Sequence, residues 1–322
     1  MADCLAPGEW ERVEAVVDKA LEAIAAQAGP NGEFGTGPES HPASTAMAIM
    51  AFLSRGHIPG RGVHGQLLEQ GVDNVLATQD DSGILGSRAD RRSTAYMHGI
   101  AGLMLGEVYG LARQGQSLRI REAIVKALAV TRKAQATPKR HAGAKGGIRY
   151  FYDFADADLS VTGWHFMFYR SAKNAEFDVP DLWVTEMLQY VYACHSESGG
   201  FSYQQGGQAS FAMSAVGLLC MTMTGKYDHP LALAAAQLLL RHDLKSVSGH
   251  RIYGLYYASL AMAQMGGKWW REFYPKLVEA QLADSRDDTG LWPRSEMTTV
   301  LETAFRILSL TPPCQLLPIF QR

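Results

Sequence analysis

The sequence predicts an all-α fold, an (α/α)6 toroid of six helical hairpins in one domain. Three observations predict it. Glycine-centred loops recur along the 322 residues at Gly32, Gly83, Gly147, Gly200, Gly249 and Gly290, with gaps of 51, 64, 53, 49 and 41 residues. A period near fifty is that of a repeat architecture. An amphipathic helix precedes each glycine, and a helix that is apolar nearly all round follows it.

The first hairpin shows the plan. In ERVEAVVDKALEAIAA, Val13, Val16, Val17, Ala20, Leu21 and Ile24 fall at i, i+3, i+4, i+7, i+8 and i+11, one buried stripe with charges opposite. NGEFG then turns the chain, and STAMAIMAFL (44–53) has no polar face. Half-wet segments starting at Gln66, Arg121, Asp181, Leu231 and Glu272 repeat the first type less cleanly. The dry type recurs as STAYMHGIAGLMLGEVYG (93–110), SVTGWHFMFY (160–169), SFAMSAVGLL (210–219) and YGLYYASLAMAQM (253–265). A helix without a polar face must be enclosed. A closed ring, dry helices inside and half-wet helices outside, encloses all six. An open α-solenoid is the alternative and would need polar terminal caps. Ala and Gly on the dry helices favour the close approach of a ring.

Composition narrows the function classes. Apolar residues make up 47% and charged residues 19%, with a net charge of −2, which excludes a disordered chain and gives no basic field for nucleic acid or an anionic membrane. The longest uncharged stretch, residues 198–225, includes an apolar part of only 16 residues (ASFAMSAVGLLCMTMT). A spanning helix needs about 20, so this reads as a buried helix. Cys4, Cys194, Cys220 and Cys314 lie far apart with no CxxC pair, consistent with reduced thiols. The opening MADCLAPGEWERVEA has neither a basic start nor an apolar run, so the expected location is cytoplasmic. Phosphate-loop, HExxH and GxSxG motifs are absent. No cofactor and no metal is expected; Cys194-His195 are adjacent, an awkward pair for zinc, with no evident third ligand.

The dry helices start just after their glycine loops, so their N-termini gather at one end of the ring. Their free N–H groups make that mouth electropositive and the expected pocket. The third repeat, GGIRYFYDFADADLSVTGWHFMFYR, places Asp153, Asp156 and Asp158 at an inner-helix start. Crowded carboxylates in a partly dry site raise one another's pKa and create a proton donor; the plainer reading makes Asp158 or Ser160 the helix cap. His98 is a further catalytic candidate, against the commoner role of a hydrogen-bonded core histidine. Glu107, nine residues on, is half a turn away and does not pair with it. Tyr150, Tyr152, Trp164, Tyr203, Tyr256, Tyr257 and Trp292, together with Tyr96, cluster near the glycine loops. They would line a pocket for an apolar or cationic ligand, unless they simply pack loop onto helix.

The repeated G-x-aromatic loop between paired helices resembles the prenyltransferase and squalene-oxidase repeat of squalene–hopene cyclases and protein prenyltransferase β subunits. The resemblance spans roughly Glu11 to Leu310. It is closest to single-domain bacterial members of unsettled activity, through YMHGIAGLMLGEVYG (96–110), DLSVTGWHFMFYRSAKNA (158–175) and YYASLAMAQMGGKWW (256–270). The family implies the toroid. The cyclases carry a DxDD motif whose middle aspartate is the general acid. The matching stretch here is Asp156-Ala157-Asp158-Leu159, which would make Asp158 the acid and Asp156 its partner, with leucine where the last aspartate stands. The D-x-C zinc pair of protein prenyltransferases and the thioester motif of complement-type toroids are both missing.

Three functional expectations follow. The first is a terpenoid-cyclase-like or isoprenoid-handling protein with acid chemistry through Asp158 and a small apolar ligand. The second is a ligand- or protein-binding toroid without catalysis. The third is a carbohydrate-active (α/α)6 lyase or hydrolase, for which Asp153, Asp158 and Glu302 would supply the paired carboxylates.

Overall fold

The computed structural model describes residues 2–35, 41–86 and 93–321. Among these residues there are twelve α-helices and no strand. The outer helices are α1 (Glu9–Ala25), α3 (Gly65–Ala77), α5 (Gln114–Ala136), α7 (Asp181–Ala193), α9 (Pro230–Arg241) and α11 (Gly267–Ala283). The inner helices are α2 (Pro42–Leu53), α4 (Thr94–Val108), α6 (Leu159–Asn174), α8 (Phe211–Thr222), α10 (Arg251–Met265) and α12 (Thr299–Leu310). Each predicted glycine loop joins an outer helix to the following inner one.

The burial pattern follows the sequence pattern. α1 buries Val13, Val17, Ala20, Leu21, Ala23 and Ile24 and leaves its charges outside. α8 is buried along its whole length, and α2 from Ala43 to its end. α12 packs on both α10 and α2, so the ring closes and the open solenoid is not formed. Parallel neighbours approach closely where side chains vanish. A Cβ on Gly99, Gly102 or Gly106 of α4 would come within 2.9, 2.8 or 2.4 Å of Trp164, Phe168 or Ser171 on α6.

The loops are tethered by a device repeated in five hairpins. The backbone N–H groups of Phe34, Leu85, Ile148, Phe201 and Trp292 donate to Thr45 Oγ1, His98 Nδ1, Thr162 Oγ1, Ser214 Oγ and Thr303 Oγ1, respectively. A polar side chain on each of these five inner helices thus satisfies a buried amide that would otherwise be costly. The fifth hairpin differs: α10 begins at Arg251 directly after His250, which has φ 51°.

The ring axis is filled by aromatic rings. Trp164 of α6 reaches Tyr256, Tyr257 and Phe305 on α10 and α12, with ring centroids 5.8, 5.2 and 5.9 Å away. At the end opposite the glycine loops, Glu107 Oε2 accepts the Ile319 N–H at 3.0 Å and Gln264 Nε2 donates to the Ile319 carbonyl at 3.1 Å. The segment Pro318–Phe320 is thereby held against the far ends of the inner helices. No helix among the described residues is long and apolar enough to cross a membrane.

Candidate functional site

Asp158 is the N-cap of α6, in extended backbone conformation. Its Oδ1 accepts from the Val161 N–H at 2.9 Å and from Ser160 Oγ at 2.8 Å. Its Oδ2 is buried and has no hydrogen-bond partner among the described residues. The residue is 0% exposed, and this burial pushes its pKa up to about 6 against the Val161 N–H, the Ser160 hydroxyl, the Arg149 charge and Tyr203. The cap is therefore also a carboxyl that keeps its proton to a higher pH than an exposed aspartate does.

Four tyrosines form a half-buried rim around it. Tyr96 bonds Ser160 Oγ, and Tyr150 bonds Tyr203 through their hydroxyls. Tyr253 donates to the Ser160 carbonyl at 3.3 Å. Since Ser160 spends its proton on Asp158, Tyr96 is the donor to Ser160. A hydroxyl chain thus runs from the half-buried Tyr96 to the buried acid. The Leu159 N–H donates to the Tyr203 carbonyl at 2.9 Å, which ties the third and fourth loops together.

Arg149 completes the rim. Its guanidinium lies 4.8 Å from the Tyr150 ring and 5.7 Å from that of Tyr203, and its Nη1 is 3.5 Å from Asp156 Oδ2. Asp156 is also held by Gln204 Nε2, 3.2 Å from both carboxylate oxygens. Asp156 is thus a tethered neighbour of the turn, and Asp153 lies exposed on it.

His98 occupies a different position. Its Nδ1 accepts from the Leu85 N–H at 3.0 Å, so Nε2 carries the proton and faces the Ala127 carbonyl at 3.1 Å and Thr131 at 3.2 Å. Thr131 in turn meets His165 Nδ1 at 3.2 Å, and His165 Nε2 meets the Ala95 carbonyl at 3.1 Å. Burial lowers the pKa of His98 to about 4. Both ring nitrogens are spent on the scaffold, the role of a core histidine.

The aromatic candidates separate into groups. Tyr150 and Tyr203 stand at the acid. Trp164, Tyr256 and Tyr257 are fully buried on the ring axis, and Trp164 Nε1 and the two tyrosine hydroxyls lack partners among the described residues. Tyr152 lies edge-on to His98, with centroids 5.4 Å apart. Trp292, in the loop before α12, is flanked by the guanidinium groups of Arg286 and Arg306, 5.4 and 5.6 Å from its ring. Glu302 beside it accepts from the Ser295 N–H and hydroxyl, the Glu296 N–H and Arg306 Nη2 at 2.8, 2.7, 3.2 and 3.0 Å. Burial works to raise its pKa, but these donors outweigh it and hold the pKa below the usual range.

Sequence reasoning passed over Arg149, Ser160 as a relay, and Tyr253. The first two had a visible signal: Arg149 stands between a glycine pair and Tyr150, and Ser160 is two residues after the acid. Tyr253 is brought in from α10 by the ring alone. Among the described residues no group of three or more His, Cys, Asp or Glu side chains is placed to hold a metal. Burial raises the Cys194 thiol to about 12, so this neighbour of His195 stays protonated.

With this geometry in place, comparison with known proteins sharpens the fold. No family model and no curated protein sequence matches the chain. Solved structures do. An inactive variant of an α-1,6-mannanase from Salegentibacter sp., in complex with α-1,6-mannotriose, superposes with TM-score 0.70 at 12% identity, covering 95% of this chain and 99% of that one. The type II terpene cyclase MstE from Scytonema, in a complex with merosterolic acid A, gives 0.64 at 12% identity over 97% and 100%. Candida albicans protein geranylgeranyltransferase-I complexed with GGPP gives 0.59 at 9% identity over 91% and 90%. The chain is an (α/α)6 toroid. Toroids with this scaffold carry different chemistries, so the fold leaves the activity to be argued from the site.

Proposed function

We propose that this toroid handles an isoprenoid-type apolar chain at its inner-helix mouth, with Asp158 as the proton donor. One observation carries the reading: a fully buried carboxyl with one oxygen bonded twice and the other unpartnered, beneath a rim of tyrosines. In the protonated acid, Oδ2 carries the proton. Transfer to an alkene carbon breaks the Oδ2–H bond, consumes the π bond and leaves a tertiary carbocation. The faces of the rim tyrosines would stabilise that cation. The carboxylate left behind keeps the Val161 N–H, the Ser160 hydroxyl and the α6 N-terminus, all of which favour its charge.

The filled axis favours a second reading, ligand binding at the mouth without turnover, because Trp164, Tyr256 and Tyr257 leave a chain no path down the ring. The carbohydrate-active reading needs a second carboxyl beside Asp158: both Glu302 oxygens are taken by donors, which leaves the exposed Asp153 as its candidate.

The test is incubation of wild type and Asp158→Asn with squalene and with linear prenyl diphosphates, read by product chromatography and native mass spectrometry. Cyclised product from the wild type alone supports the acid. Bound ligand without product from either protein supports binding only. Neither product nor bound ligand overturns the proposal.

A further inference from the structure

A second concavity lies at the C-terminal end of α5, where the chain turns through residues 137–146 and faces α7. This cleft of about 360 Å³ is lined by Arg132, Gln135, Lys139, His141, Lys145 and Glu186 among others. Three basic side chains, Arg132, Lys139 and Lys145, meet one carboxylate there, in a chain whose net charge is −2. The carboxylate is already spent, because Glu186 is paired with Arg132 Nη1.

The cationic side is built rather than loosely exposed. Gln135, 2% exposed, accepts from Arg132 Nη1 at 3.2 Å and from the Tyr169 hydroxyl at 3.0 Å, and it donates to the Trp183 carbonyl at 2.7 Å. The Trp183 ring lies 5.5 Å from the same guanidinium. Lys139 Nζ is held by the carbonyls of Ala134, Phe154 and Asp156, each at 3.3 Å. These carbonyls take all three N–H bonds of the ammonium, and the Asp156 carboxylate acts on it as well, so Lys139 would act on a ligand through its charge and not through a direct bond.

We infer that this cleft binds a small dianion, phosphate or the phosphate group of a phosphomonoester. Arg132 offers its remaining N–H groups in a planar fork, Lys139 supplies a fixed charge, and Lys145 closes over the ligand from the exposed lip. Burial lowers the Lys139 pKa to about 8, and a dianion beside it would raise it again. The volume lies near the lower end of the roughly 300–1,000 Å³ of ligand sites, enough for a phosphate with a short organic arm.

Isothermal titration with sodium phosphate and with glycerol 3-phosphate, at matched low ionic strength, tests this. The expected result is one saturable site, weakened about tenfold or more by Lys145→Met, the loss of one charge-assisted bond. Lys139→Met should do the same. Because Lys139 also braces the α5 terminus, the exposed Lys145 variant decides if that protein does not fold. Lys268→Met, on α11, should change nothing. Tighter binding of the ester would show that the cleft also contacts the organic arm, and equal binding that phosphate alone is recognised; both support the site. No saturable binding by about 10 mM ligand, or binding indifferent to both cleft lysines, overturns it.

Discussion

Replacing Asp158 with asparagine should make the stability of this protein less dependent on pH. The carboxyl has an ordinary pKa of 3.8 and is raised to about 6 in the fold by burial. A difference of roughly 2 units corresponds to about 3 kcal/mol. Its sign follows from which state holds the proton. Below pH 3.8 both states are protonated and the fold bears no penalty. As the pH rises towards 6, the unfolded chain ionises first, so the folded state loses this stabilisation progressively. Above about 6 the loss is complete. Asparagine does not ionise and escapes the loss. Its Oδ1 still accepts from Val161 and Ser160, while a neutral acceptor and an unpartnered Nδ2 together cost about 1–3 kcal/mol at any of these pH values. The absolute effect at one pH is thus a small difference of opposing terms. The change of that effect with pH is not. Urea unfolding at pH 4, 6 and 8 should show the variant gaining about 2.5 kcal/mol on the wild type between the first and last, since some of the loss has already occurred by pH 4. His98 and His165 titrate in both proteins and cancel in the difference. A flat difference across this range would refute the reasoning, because it would mean that Oδ2 reaches solvent and that Asp158 is only a cap.

Three further predictions concern the frame. Gly102→Ala gains about 1 kcal/mol in helix propensity but sets a Cβ 2.8 Å from the Phe168 ring; overpacking at about 1–3 kcal/mol should win, and urea denaturation should show net destabilisation. Gly115→Ala on α5 meets nothing within 4 Å and should stabilise by up to about 1 kcal/mol in the same assay. Thr162→Val removes the acceptor of the Ile148 N–H and should cost about 1–3 kcal/mol. Faster hydrogen exchange at that amide, restored by Thr162→Ser, would check it.

The toroid was legible because its signals are local: a glycine loop, a half-wet helix before it and a dry helix after it can each be read within twenty residues. The loop tethers were not. Thr45, His98, Thr162, Ser214 and Thr303 sit 11 to 14 residues after the amides they accept from. On helices read as uniformly dry, that recurrence looks like scattered polar residues. The aromatic candidates divided for a reason of register. The residue two after the left-handed glycine (Gly146, Gly199 or Gly290), namely Ile148, Phe201 or Trp292, gives its N–H to the inner helix and is buried within its hairpin. The residue two further on in the third and fourth loops, Tyr150 or Tyr203, stands at the rim. Trp292 holds the inward position of its loop, which places it with Arg306 rather than with Asp158. Tyr253 and Ser160 are 93 residues apart, on α10 and α6, and meet only because the ring brings those two helices together.

The leucine at position 159 shows how the acid is tuned. In a DxDD arrangement a neighbouring carboxylate helps keep the acid protonated by like-charge repulsion. Here that position is a fully buried side chain, and its backbone N–H fastens the turn to the Tyr203 carbonyl. What remains near Asp158 favours its charged form: two hydrogen bonds to Oδ1, the Arg149 guanidinium, the Tyr203 hydroxyl and the N-terminus of α6. Burial alone outweighs them. The proton affinity of Asp158 therefore depends on the seal above it, the hydroxyl pair of Tyr150 and Tyr203 braced by Arg149. Loosening that pair would admit water, lower the pKa and weaken the donor without touching it. If Asp158 acts as proposed, a ligand that replaces the rim rather than opening it to solvent would keep the carboxyl protonated.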